Sequence, residues 1–266
     1  MGYPTIALMS DFGQNDFFVP SLKAVILSLN PAARLVDITH SVPSYDVRAA
    51  GFILSACFQF FPAGTIFLSV VDPGVGAARR ILLARTEKYD FIAPDNGLLT
   101  LSLESARILE MRTISNPKYF LTEASRTFDG RDRMAPAAAW LSLGTPASEF
   151  GPLLDRFEEL HVRKPCLRKG RLTGEVAYVD KFGNLITNIP SSLLSKLKAA
   201  PRRGGFRLRV KGRTVDSFLG SYSQGRPGVP FALAGSLGTV EIALREDSAA
   251  ARLGASAGDE VQIAAG

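Results

Sequence analysis

Between residues 5 and 93 the chain alternates strand-like and helix-like segments, and this rhythm constrains the fold more than any other feature. Apolar runs at 5–9, 34–38, 65–71, 81–84 and 91–93 read as strands, and the stretches at 19–29 and 46–60 read as helices. Such βαβ alternation predicts a largely parallel sheet sandwiched by helices on both faces. Asn30-Pro31 and Phe61-Pro62-Ala63-Gly64 stop the two helices, and 136–143 reads as the last helix of this part. Beyond Gly151-Pro152 short strands at 175–179, 206–210, 231–234, 239–244 and 260–263 are separated by glycine and polar turns, an all-β, barrel-like pattern. The expected domains are therefore 1–164, α/β, and 165–266, all-β, with the break in the connector ending Arg163-Lys164-Pro165.

Composition narrows the function. Cys57 and Cys166 are too few for a disulfide framework and belong to no Cys/His ligand pattern, so a reducing cytoplasm and no metal are expected. Residues 49–71 carry no charge, but Pro62 and Gly64 divide the run and exclude a membrane span. Residues 1–150 hold 13 basic and 14 acidic side chains and residues 151–266 hold 18 and 11, so the positive excess is C-terminal. Its densest part, 202–211, alternates apolar and basic residues as a half-buried strand does, and with few aromatic residues nearby it reads as a solvated face rather than a nucleic-acid surface.

Candidate chemistry gathers where strands end. Asp11 follows the first strand in Ser10-Asp11-Phe12-Gly13, placed for a ribose diol or for capping a turn. Val71-Asp72-Pro73-Gly74-Val75-Gly76 ends the third strand at a carboxylate, and Arg79-Arg80 follows, with one of the two expected to point inward. Asn96, in Pro94-Asp95-Asn96-Gly97, is turn chemistry first. In Thr127-Phe128-Asp129-Gly130-Arg131-Asp132, Asp132 can cap the next helix, whereas Asp129 has no such local explanation. Asp180-Lys181-Phe182-Gly183-Asn184 places an acid, an aromatic and an amide after a strand, a segment that hairpin-turn preferences explain incompletely. His40 and His161 lack partners at ligand spacing and read as structural.

Taken in order, these segments, with Val36-Asp37-Ile38-Thr39-His40 and Gly235-Ser236 before Glu241, resemble the S-adenosyl-L-methionine (SAM) hydroxide adenosyltransferases, the SAM hydrolases related to the SAM-dependent fluorinase and chlorinase. The resemblance covers nearly the whole chain. It implies an N-terminal α/β domain, a C-terminal β-barrel-like domain and a homotrimer holding SAM between the N-terminal domain of one subunit and the C-terminal domain of another. By position it implies that Asp11 holds the ribose hydroxyls, Tyr45 packs near the ribose, Phe182 and Asn184 contact adenine, and Asp180 and Ser236 hold the methionine amino and carboxylate groups. Asp72 and Arg79 match two members of the family's water-activating triad, but Asp129 stands where the family has histidine. Ala77 and Arg245-Glu246 also depart from the family pattern.

The resemblance implies hydrolysis of SAM to adenosine and L-methionine by water or hydroxide at the ribose 5′ carbon, with SAM as substrate and no cofactor. The sulfonium leaves as a neutral thioether, so orientation and water activation are the main needs. A carboxylate, with a reference pKa of about 3.9 against about 6.5 for imidazole, is the weaker base, so Asp129 implies slower hydrolysis or a shifted pH optimum. Two other readings share the fold. A halide adenosyltransferase is opposed by two nearby carboxylates and by Val75, which offers no hydroxyl to replace a halide's hydration. A SAM- or adenosine-binding protein without turnover follows from an intact binding set beside an altered triad.

Overall fold

A strand that buries both faces needs cover on both sides, and the first part supplies such strands together with their helices. The computed structural model describes residues 4–123, 125, 127–197 and 205–265. Up to Leu160 the order is β1 (Thr5–Ser10), α1 (Phe18–Leu29), β2 (Arg34–Thr39), α2 (Val47–Cys57), β3 (Ile66–Val70), β4 (Ile81–Thr86), β5 (Asp90–Pro94), α3 (Thr100–Glu104), β6 (Ile108–Thr113) and α4 (Ala135–Ser142). Side chains alternate across each strand. Ile6, Leu8, Leu68 and Val70 pack with Leu22 and Ile26 of α1 and the alanines of α4. Phe67 and Phe91 take the other face, stacked at 5.1 Å, with Phe58 after α2 edge-on to Phe91 at 5.6 Å.

The six strands lie in the order β2-β1-β3-β5-β4-β6. β2, β1, β3 and β5 are parallel, whereas β4 runs antiparallel to β5 and β6, so the sheet is mixed. The cause is the link from β3 to β4. It holds no helix, and a parallel return needs a crossover of roughly a dozen residues or more. That link is instead the turn bearing Asp72 and Arg79. β6 and α3 were not anticipated by the sequence reading; β6 is an edge strand whose first residues, Ile108 and Leu109, are exposed.

The chain divides into two compact units, Met1–Leu160 and His161–Gly266. The second holds β7 (Cys166–Arg168), β8 (Arg171–Val179), β9 (Leu185–Pro190), β10 (Phe206–Val210), β11 (Arg213–Val215), β12 (Phe231–Ala234), β13 (Thr239–Ala243), α5 (Ala249–Leu253) and β14 (Glu260–Ala265). They form an antiparallel sheet, β11-β10-β14-β8-β9-β13-β12, with β7 on β8. Long β8 pairs with β14 through its first half and with β9 through its second, which curls the sheet. Residues after β11 return to β12, Leu219 N–H donating to the Ala232 carbonyl at 2.8 Å, so the barrel nearly closes. In β10 Leu208 and Val210 are buried and Arg207 and Arg209 exposed, as the alternation predicts; Arg202, Arg203 and Gly204 of the basic segment lie outside the described residues.

Phe67 is fully buried in the aromatic face. Phe67→Ala is expected to cost about 3–5 kcal/mol, read as a lower urea midpoint in the fluorescence of Trp140, the chain's single tryptophan, which lies in the same unit.

Candidate active site

β1 and β3 are neighbours with Ser10 paired to Val70, so the residues just past them, Asp11 and Asp72, emerge at the same carboxyl edge. That edge is where α/β sheets bind ligands. Gly74 N–H approaches Asp72 Oδ1 at 3.3 Å, and Gly76, at φ +84°, turns the chain back in a conformation that strains any side-chain-bearing residue. The turn delivers Arg79 inward. Its Nε donates to Asp72 Oδ1 at 2.7 Å and Oδ2 at 2.6 Å, and its Nη2 donates to Asp129 Oδ2 at 2.7 Å. Only 11% of the Arg79 side chain is exposed. Burial alone would lower its pKa, but the bonds and charges of Asp72 and then Asp129 outweigh that and raise it. Arg80 turns elsewhere, Nε donating to Asp95 Oδ2 at 2.7 Å.

Asp129 is buried at the head of the helical segment that runs into α4. Its first turn, Gly130–Met134, is a π turn, a distortion frequent at functional sites. Asp132 does not cap this helix from outside. It sits within the π turn, fully buried, and accepts from Ser125 N–H at 2.7 Å and Arg131 Nε at 2.6 Å, which ties down the preceding loop.

Asp11, Tyr45, Asp72 and Asp129 line one cleft of about 290 Å³, walled by Phe12 and Phe128. Asp11 Oδ2 accepts Tyr45 N–H at 2.8 Å. Tyr45 holds φ at +66° with its side chain exposed, an outlier for a bulky residue of the kind that clusters at ligand sites. Asn96 is taken up by the scaffold, its amide donating to the Val71 carbonyl at 2.9 Å. Behind the cleft His40 is buried, with Nδ1 2.7 Å from Ser10 Oγ and Nε2 3.2 Å from Asp37 Oδ1. Ser10 is itself buried, so this Ser-His-Asp series braces the strand ends and offers no accessible nucleophile.

The second unit has its own, larger cleft of about 670 Å³, lined by Asp180, Phe182, Asn184, Tyr222 and the 244–248 segment. Asp180 organises its own loop: Oδ1 accepts the N–H groups of Phe182 and Asn184 at 2.9 Å each, and Oδ2 accepts the Asn184 amide at 2.8 Å. Gly183 has φ +81°, and a Cβ there would fall 2.2 Å from Ser248 Oγ, so only glycine lets this loop seat against α5. Phe182 is left 75% exposed. Ser236 lies exposed on the turn between β12 and β13, outside the residues lining this cleft.

Tyr222 and Glu241 were missed by the sequence reading. The Tyr222 hydroxyl donates to Glu241 Oε2 at 2.6 Å; burial, then the Glu241 carboxylate, raises the phenol's pKa far above its ordinary value. The signal was an acid inside the apolar strand Thr239-Val240-Glu241-Ile242-Ala243.

The N-terminal domain of the SAM hydroxide adenosyltransferases is matched by residues 6–151 and their C-terminal domain by residues 174–262. An (R)-S-adenosyl-L-methionine hydrolase of Thermus thermophilus is 37% identical, covering 97% of this chain and 98% of the relative. A fluorinase of Actinoplanes is 33% identical over 73% of this chain and 74% of the relative. A crystal structure of an uncharacterized conserved protein from Thermotoga maritima superposes with a TM-score of 0.91 at 37% identity, covering 97% of this chain and 99% of that one.

Burial holds the His40 imidazole below its ordinary pKa, with Asp37 opposing. The unfolded chain then takes up this proton near pH 6.5 while the folded protein resists it, so stability present above about pH 6.5 falls as the pH drops below it. The melting temperature is expected to decline from pH 7.5 to 5.5 and to decline less in His40→Asn. An equal decline in that variant would assign the loss to other groups.

Proposed function

The chain belongs to the SAM hydroxide adenosyltransferase family, and from that premise we propose that it hydrolyses SAM to adenosine and L-methionine with Asp72, Arg79 and Asp129 at the reacting end. One observation carries the reading: Arg79 bridges Asp72 and Asp129, and both carboxylates line the cleft that also holds Asp11 and Tyr45. Water attacks the ribose 5′ carbon in line with the sulfonium. The new C–O bond forms as the C–S bond breaks, its electron pair goes to sulfur, and the water proton passes to a carboxylate and then to solvent. Methionine departs as a neutral thioether, so neither a general acid nor a cofactor is required.

Asp72 orients the water and accepts its proton. Arg79 stabilises the developing hydroxide. Asp11 holds the ribose diol, and Tyr45 packs beside it. Phe182 and Asn184 contact adenine, and Asp180 and Ser236 hold the methionine end; support for Asp180, Phe182 and Asn184 is their convergence in one cleft. For Ser236 the support is the family resemblance alone. Halide chemistry is disfavoured because Asp72 and Asp129 place two carboxylates in the cleft and Val75 adds only apolar surface.

The same reading makes the protein a homotrimer that completes each site from two subunits. It also places the chain in the cytoplasm, which two free cysteines support. Among the described residues no helix is long and apolar enough to cross a membrane.

Incubation with SAM, with and without chloride, followed by chromatography, is expected to give adenosine and methionine in both cases; 5′-chloroadenosine would establish halide transfer, and binding without product a non-catalytic role. Asp72→Asn is expected to lower turnover about 10²-fold or more. Asp72→Asn and Phe182→Ala chains are each expected to be impaired, yet to regain activity when co-expressed. Activity no greater than the sum of the separate variants would mean that each site lies within one subunit.

A further inference from the structure

The helix that carries Asp129 brings a second cation to it. Arg133 follows at i+4, its Nε 3.2 Å from Asp129 Oδ1, while Asp129 Oδ2 accepts Arg79 Nη2 at 2.7 Å. One carboxylate therefore stands between two guanidiniums. Asp129 Oδ1 and Arg133 Nε are both sealed from solvent, and neither makes a hydrogen bond among the described residues. The outer end of Arg133 lies over the Phe120 ring, 5.5 Å from its centroid.

The other groups around Asp129 explain why this matters. Asp72 and Arg79 face it from the turn after β3, and Asp11 and Tyr45 line the same cleft from the end of β1 and the loop before α2. Two carboxylates share Arg79, so the Asp72–Arg79–Asp129 group balances in charge only when Arg133 is counted, with Asp11 left as a further carboxylate of the cleft. Orientation is the second consequence. The terminal torsion of an aspartate is broad, and the Arg79 bond engages one oxygen only. A cation at the other oxygen fixes the plane of the carboxylate.

We propose that Arg133 is a positioning residue for the hydrolysis, acting through Asp129: it fixes the plane of that carboxylate from the buried Oδ1 side, holding Oδ2 on Arg79, and balances the second carboxylate. The proposal rests on the hydrolase reading of this cleft. It also changes what a histidine at position 129 would do. An imidazole there would leave the sealed Arg133 Nε without its carboxylate, and a buried donor left unpaired is unfavourable. Histidine at 129 therefore disfavours arginine at 133 in this scaffold.

The test is steady-state adenosine formation by wild type, Arg133→Met, Arg133→Lys, Asp129→His and the double variant D129H/R133M, with melting curves for each. Arg133→Met is expected to lower kcat about tenfold with KM for SAM within about twofold, and Arg133→Lys to recover part of the loss. D129H/R133M is expected to turn over faster than D129H. Wild-type kcat in Arg133→Met, or a double variant slower than D129H, overturns the positioning role; a purely structural Arg133 would lower the melting temperature in both backgrounds and rescue neither. A wild-type chain that makes no adenosine overturns the hydrolase reading itself, and the positioning role with it.

Discussion

A guanidinium with only 11% of its side chain exposed is tolerable only where carboxylates meet it, and Arg79 is met twice. Its partners belong to different parts of the N-terminal unit: Asp72 lies in the turn just after β3, and Asp129 opens the helical segment that ends in α4. Satisfying one cation therefore fixes a strand end, a turn and a helix against each other. The cleft takes its shape from that junction. Arg79's pKa is raised above its already high ordinary value, so the cation at its centre stays charged.

The turn that delivers Arg79 also decides the topology. Between β3 and β4 the chain spends its residues on a strand-end loop instead of a helix, so β4 returns antiparallel and the sheet becomes mixed. An extra crossover helix would restore a parallel strand, but it would remove the close sequence link between Asp72 and Arg79. Site and sheet irregularity thus share one cause.

Much of this was legible in the sequence because it depends on local periodicity. The apolar runs of β1 and β3, the stops at Asn30-Pro31 and Phe61-Pro62, and the short strands of the second unit each carry their own signal. Strand-end placement then put Asp11 and Asp72 each at the carboxyl end of a strand. What the sequence could not supply was pairing at a distance. Nothing local says that Arg79 reaches Asp129 fifty residues on, or that Tyr222 bonds Glu241. Edge strand β6 carries too little burial to show an alternating pattern. The π turn has no simple compositional signature, so Asp132 read as a cap and Arg133 was not singled out.

Charge balance bears on catalysis as well as on folding. SAM enters with a positive sulfonium, and that charge disappears as the C–S bond breaks. Two unbalanced carboxylates beside the 5′ carbon would hold the cationic substrate more strongly than a transition state in which the positive charge is fading. Such ground-state binding lowers KM without raising the rate. Arg79 and Arg133 offset the charges of Asp72 and Asp129, while both aspartates still line the cleft. The field that would trap the sulfonium is thereby weakened. A second carboxylate at position 129 is compatible with turnover on this argument, provided that its second guanidinium comes with it.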